Sequence, residues 1–234
     1  MIRALKKFVA GVPVIGPAAK RLARSVSPGQ ALPFEKSSSY WDARYKAGGN
    51  SGAGSYSNLA RFKADILNAF VSEHAIASVI EFGSGDGAQL GLAAYPRYIG
   101  VDVSPTAIAD CRKLFRHDPS KTFHVAGELP PGSTAELSLS LDVIYHLVED
   151  DVFSKYMHDL FAASGKYVII YSSNEDKAWT SQHVRHRNFT RWIKANLPGW
   201  TQVSHIPNIY PYNENDPDHT SFADFYVYEK STSN

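Results

Sequence analysis

The stretch Val79-Ile80-Glu81-Phe82-Gly83-Ser84-Gly85-Asp86-Gly87 constrains this chain more than any other. Ser78 to Phe82 is β-branched and apolar, the composition of a short strand covered on both faces. Three glycines at alternate positions then allow a sharp turn and a close approach of backbone to a ligand, where a Cβ would collide. A second strand, Tyr98-Ile99-Gly100-Val101-Asp102, ends in a carboxylate nineteen residues past Gly83. An acid at that place can accept both hydroxyls of a ribose. Strand, glycine turn, second strand and terminal acid predict a nucleoside-binding α/β site.

The remaining elements follow from periodicity. Leu59, Phe62, Ile66, Leu67 and Phe70 recur at helical spacing ahead of the first strand. Ala88 to Pro96 leaves room for only a brief crossover helix, shorter than a dinucleotide fold usually has. Ser104 and Pro105 suit an N-cap and first helical residue, opening a helix with Ile108, Cys111, Leu114 and Phe115 inward. Phe123 to Ala126 and Leu137 to Leu141 read as strands three and four, and Lys166 to Ser172 as strand five. Between the last two lies a helix with Val152, Phe153, Tyr156, Met157, Leu160 and Phe161 on one face, and Glu149-Asp150-Asp151 as acidic caps. A helix with Phe189, Trp192, Ile193 and Leu197 precedes two final strands, Trp200 to Ile206 and Phe222 to Tyr228.

Length and composition set bounds. A chain of 234 residues suits one domain with an appendage. Its single cysteine, Cys111, excludes an internal disulfide and a cysteine metal cluster, and fits a reducing compartment. Net charge is +1, yet residues 1–24 carry six basic residues and no acid, so the body is mildly acidic. Such a body argues against a nucleic-acid partner held on a broad basic face. The apolar run from Phe8 to Ala19 is too short to span a bilayer, and its two prolines make a poor signal peptide. The expected location is the cytoplasm, with residues 1–24 able to rest on an anionic membrane surface. Residues 1–39 are read as this basic appendage and a serine-rich linker, and 40–234 as the domain.

Glu81-Phe82-Gly83-Ser84-Gly85-Asp86-Gly87 with Asp102 resembles the first two motifs of the class I S-adenosylmethionine (SAM) dependent methyltransferases. Gly83-x-Gly85-x-x-Ala88 also fits the dinucleotide pattern of an NAD oxidoreductase. The acid two residues before Gly83 and the later stretch Leu141-Asp142-Val143-Ile144-Tyr145-His146-Leu147, which looks like the methyltransferase fourth motif, favour the SAM family. The resemblance implies an α/β Rossmann-like sheet of seven strands, mostly parallel with an antiparallel last strand, helices on both faces, and a lid over residues 40–57. It assigns the cofactor to Glu81, Gly83, Ser84, Gly85, Gly87, Asp102, Val103 and Asp142. The family's usual acid before the adenine loop has no clear counterpart here, and Glu128, with Leu129, is the candidate.

Methyl transfer to an alcohol needs a base or a metal near the methyl group. His146, next to the strand-four edge with Asp142, is the expected base. Asp142 with Asn174, Glu175 or Asp176 is the alternative, a Mg²⁺ site. Tyr145, His183, His186, Arg187, Asn208 and Tyr210 are expected to face the acceptor. The pattern resembles methyltransferases of bacterial glycan and secondary-metabolite pathways, which implies a small-molecule acceptor, a sugar hydroxyl. A SAM-binding scaffold without catalysis is the reading from a different class.

Overall fold

The computed structural model describes residues 34–231. The basic segment 1–24, for which a membrane contact is expected, and most of the serine-rich linker lie outside them. The chain forms α1 (Ser37–Lys46), α2 (Ser57–Glu73), β1 (Val79–Phe82), β2 (Tyr98–Asp102), α3 (Pro105–Leu114), β3 (Lys121–Val125), β4 (Ala135–Leu141), α4 (Asp150–Ala162), β5 (Ser164–Ser172), α5 (Phe189–Asn196), β6 (Trp200–Ile206) and β7 (Asp224–Lys230). The seven strands make one sheet in the order β3-β2-β1-β4-β5-β7-β6. Pairing is parallel from β3 to β5, and β7 runs antiparallel to both β5 and β6. Order reverses between β1 and β4, so a ligand crevice is expected outside their carboxyl ends. Three-residue 3₁₀ turns at Leu90–Leu92 and Ile144–His146 follow β1 and β4.

Alternation along the strands sorts the core into two layers. Val79, Leu137, Leu139, Leu141, Ile169 and Tyr171 meet Phe62, Leu67 and Val71 of α2, with Ile108 and Cys111 of α3. Ile80, Phe82, Val168 and Ile170 meet Phe153, Met157, Leu160 and Phe161 of α4, with Phe189 and Ile193 of α5. Each such side chain contributes about 1.5–3 kcal/mol when buried. The run Leu137-Ser138-Leu139-Ser140-Leu141 alternates as a half-exposed strand would, yet both faces are buried. Small serines let α4 approach closely, and the Tyr156 hydroxyl spans the gap, donating to the Phe82 carbonyl at 2.9 Å and accepting from the Ser140 hydroxyl at 2.7 Å.

Two local expectations are corrected. The linker boundary at Ser39 falls inside α1, because Ser37 is anchored: its N–H and hydroxyl donate to the Glu149 carboxylate at 3.0 and 2.6 Å. Glu149 is thereby drawn away from capping α4 with its side chain, and Asp150 and Asp151 alone place acids in the first turn.

The exit from β1 fixes Gly83. Its φ is +86°, and a Cβ there would collide with the Val143 side chain on the turn after β4. Gly83→Ala is expected to cost about 2–4 kcal/mol through left-handed strain and overpacking, measurable as a lower urea midpoint with an unchanged slope.

Candidate active site

At the mouth of β1 and β2 the backbone and one carboxylate form a cradle. Asp102 accepts the Gly85 N–H on one oxygen and the Ser104 N–H on the other, both at 2.9 Å. Burial raises its carboxyl above the ordinary value, and these N–H bonds oppose the rise. Ser84 Oγ lies buried beside it with no partner among the protein groups. Val103 is exposed next to Asp102, and Glu128 and Leu129 follow the end of β3, the first exposed and the second partly buried. Glu81 is the exception among the expected cofactor residues. Alternation turns it to the α2 side of the sheet, where it is buried and accepts the Tyr98 hydroxyl at 2.6 Å. Burial lifts its carboxyl to about 7.

Residues of the expected lid cover this cradle. Ser51 and Asp86 exchange two bonds: the Ser51 N–H donates to Asp86 Oδ2 and the Asp86 N–H to Ser51 Oγ, each at 3.0 Å. The Tyr56 hydroxyl adds a bond to Asp86 at 2.7 Å, and the Tyr45 hydroxyl lies 3.0 Å from Ser51 Oγ. A Cβ on Gly85 would strike Ser51, so only glycine admits the covering loop here. Asp42 of α1 accepts the Ser104 and Thr106 hydroxyls at 2.7 and 3.2 Å. Ser51, Tyr56 and Asp42 escaped the sequence reading except as members of a glycine-rich, aromatic segment, because they have partners 30 or more residues away.

The turn after β4 carries the second half of the site. Asp142 takes φ +60° and its carboxylate accepts the Lys63 ammonium at 2.6 Å and the Tyr145 hydroxyl at 2.9 Å. His146 packs against the edge of Trp41, with ring centroids 4.8 Å apart, and lies parallel to His183, which stacks on Tyr40. Its Nδ1 is 2.9 Å from the His183 carbonyl. A carbonyl only accepts, so Nδ1 holds the proton and Nε2 keeps its lone pair. Dense surroundings push this imidazole down to about 4 by desolvation, although part of the ring remains accessible. The arrangement is a neutral histidine with one basic nitrogen, beside a tyrosine–carboxylate–lysine chain.

The expected acceptor residues divide. Tyr145, His183 and His186 gather at this edge. His186 is buried, with Nδ1 2.7 Å from Ser173 Oγ and Trp179 and Phe222 against its ring. Arg187 lines a cavity with Asp150, Phe153, Asp176, Asn188 and Trp192, a lining that does not include His146; its guanidinium donates to Asp150 and to the Leu147 and Val148 carbonyls and lies over Phe153, pinning the segment after the Ile144–His146 turn. Asn208 braces the β6–β7 loop through the Tyr171 hydroxyl and the Ser221 carbonyl. Tyr210 packs on Phe62 of α2 instead of on the His146 edge.

A Mg²⁺ site does not fit these residues. Among the described residues no cluster of three His, Cys, Asp or Glu side chains converges. Asn174 bonds Thr190, Asp176 bonds the Asn188 N–H and Arg191, and a lysine ammonium already stands on Asp142.

No protein-family model and no curated protein matches the sequence. Solved structures do. Magnesium protoporphyrin IX methyltransferase from Synechocystis PCC 6803 with bound SAM aligns at TM-score 0.58 and 14% identity, covering 86% of this chain and 100% of that one. The methyltransferase domain of bacterial CtHen1-C aligns at 0.58 and 17%, covering 75% and 100%. N-methyltransferase NodS from Bradyrhizobium japonicum WM9, in complex with S-adenosyl-L-homocysteine, aligns at 0.57 and 14%, covering 75% and 88%. The fold is that of the class I methyltransferases. Within this methyltransferase fold the glycine cradle and Asp102 occupy the β1–β2 mouth, and His146 the β4 mouth.

Glu81 gives the site a stability signature. Its folded value, about 7, lies above the ordinary 4.5, so the stabilisation is complete below 4.5 and is lost as pH rises through 7. Glu81→Gln keeps an acceptor for Tyr98 without the charge. It is expected to flatten the melting temperature between pH 4.5 and 7 and to raise stability at pH 8 by up to about 3 kcal/mol, read by thermal melts of the ligand-free protein.

Proposed function

We propose that this protein is a methyltransferase that binds SAM and moves its methyl group to a hydroxyl of a small molecule, a sugar or glycan. The observation that carries the proposal is the His146 Nε2 lone pair at the β4 mouth, beside the Asp102 cradle of a methyltransferase fold. Gly83, Ser84, Gly85, Gly87, Asp102 and Val103 would hold the nucleoside and amino-acid parts of SAM, with Glu128 and Leu129 towards adenine and Asp142 towards the methyl group. The buried, unpartnered Ser84 hydroxyl and the inward Asp102 carboxylate fit such a ligand. Bound SAM supplies a methyl group on a sulfonium, open to in-line displacement.

The chain's own part is to exclude water, orient the acceptor and take its proton. The segment from α1 to Tyr56 covers the cradle, and Trp41 shields one side of His146. His146 Nε2 receives the hydroxyl proton while the His183 carbonyl holds Nδ1–H, which fixes the tautomer. Phe222 is surrounded by Tyr145, His186, Trp179 and Tyr212 at interplanar angles of 83°, 89°, 70° and 46°. Trp179, Tyr212 and Phe222 keep part of their surface exposed, and such aromatic faces suit the C–H faces of a sugar ring. Arg185 and Arg187 are tied to Asp150 and backbone carbonyls, which favours a small acceptor over a nucleic-acid phosphate. The NAD reading finds little support, because a three-residue 3₁₀ turn stands where a helix N-terminus would receive a pyrophosphate.

The test is incubation with methyl-labelled SAM and a panel of glycosides. His146→Ala is expected to lower kcat by about 10²–10⁴-fold while calorimetric affinity for S-adenosylhomocysteine stays unchanged. Cofactor binding with no transfer to any hydroxyl would leave the scaffold reading.

A pH profile provides a second test. The His146 value is depressed from 6.5 to about 4, so its lone pair, and the stability its neutral form confers, persist above 6.5 and are lost as pH falls towards 4. In the wild type, kcat/KM is expected to lack an imidazole inflection near 6.5.

A further inference from the structure

A buried lysine stands unassigned at the transfer edge. Lys63 of α2 is 1% exposed. Its ammonium bonds Asp142 Oδ2 at 2.6 Å and lies 5.3 Å from the centroid of the Tyr171 ring. Buried ion pairs rarely justify themselves by stability, since apolar replacements of similar volume often serve as well. The core layer around Lys63 offers it no other acid-bearing partner in contact, and Glu81 feels it only as a nearby charge.

What the ammonium holds is more telling. Asp142 sits in a left-handed conformation with its N–H on the Tyr171 carbonyl, and its second oxygen accepts the Tyr145 hydroxyl. The Tyr145 ring lies 4.5 Å from that of His146. Gly54, in the covering turn Ala53–Ser55, approaches the same carboxylate so closely that a Cβ would sit 2.7 Å from Oδ2. One cation therefore fixes a carboxylate that touches the covering loop, the tyrosine and, through it, the basic histidine.

We propose that Lys63 is the positioning residue of the methyl-transfer edge: its ammonium sets the His146 turn through Asp142 and Tyr145. This rests on the reading of that edge as the site of methyl transfer to a hydroxyl.

Four variants test it: Lys63→Met, Asp142→Asn, the two combined, and Tyr145→Phe. Melting temperature, S-adenosylhomocysteine affinity, kcat, acceptor KM and the ¹⁵N imidazole spectrum of His146 are measured for each. Lys63→Met alone should melt well below the wild type, because it strands a carboxylate. The combined variant should recover most of that loss. Its kcat should nevertheless remain about 10–100-fold down, with acceptor KM within about threefold and the His146 signals displaced. Tyr145→Phe keeps the ion pair, and should reproduce the kcat loss and the displaced signals without the drop in melting temperature. Turnover of the wild type should survive EDTA.

Recovery of turnover together with stability in the combined variant, with an unmoved His146 spectrum, would overturn the proposal and reduce the pair to packing. So would wild-type turnover lost to EDTA and restored by Mg²⁺. If the wild type binds S-adenosylhomocysteine but methylates no hydroxyl, the transfer reading fails, and the His146 spectra of the variants still decide whether Lys63 positions that turn.

Discussion

The close contact of Gly83 with Val143 joins the two halves of the candidate site. β1 is only four residues long, buried throughout and paired on both sides. Its exit must turn at once, and the turn leaves no room for a Cβ because the Val143 side chain fills that space. The proposed nucleoside half, with Asp102, and the proposed transfer half, with His146, are thereby set against each other by backbone and packing. That division suits a fold whose relatives include porphyrin and N-methyltransferases.

The covering segment uses weaker forces and uses them at both halves. Asp42 reaches Ser104 and Thr106 on the nucleoside side, Ser37 reaches Glu149 on the transfer side, and Ser51 meets Asp86 between them. Each bond near solvent contributes about 0.5–1.5 kcal/mol net. Several together hold the segment down. Rings rather than charges complete the contact, Tyr40 on His183 and Trp41 on His146. The histidine is shielded from water, and this desolvation outweighs the pull of the Asp142 carboxylate on its proton affinity.

Much of the fold was legible in the sequence because it is written locally. The β1 turn, the acid closing β2, the Ser104–Pro105 helix start and the β4 turn are runs of adjacent residues with their own conformational demands. Donor-rich segments misled where their partners were distant. Arg187 and Asn208 have the chemistry of acceptor ligands, but backbone carbonyls and Tyr171 claim it. Glu81 matched a motif by spacing, while strand alternation turned it into the core. Lys63 carried a signal that pattern reading passes over. It lies four residues after Leu59 and four before Leu67, on the buried stripe of α2, where a charge needs a partner.

The sequence by itself determined the α/β sheet, the glycine cradle, the acid of β2 and a histidine after β4, since strand composition and glycine geometry act over a few residues. Only the tertiary structure decided which side chains remain free at the carboxyl edge and which are consumed in holding it. The physical reason is that a hydrogen bond or ion pair is specified by distance in space. Lys63 and Asp142 are 79 residues apart in the chain and 2.6 Å apart in the fold.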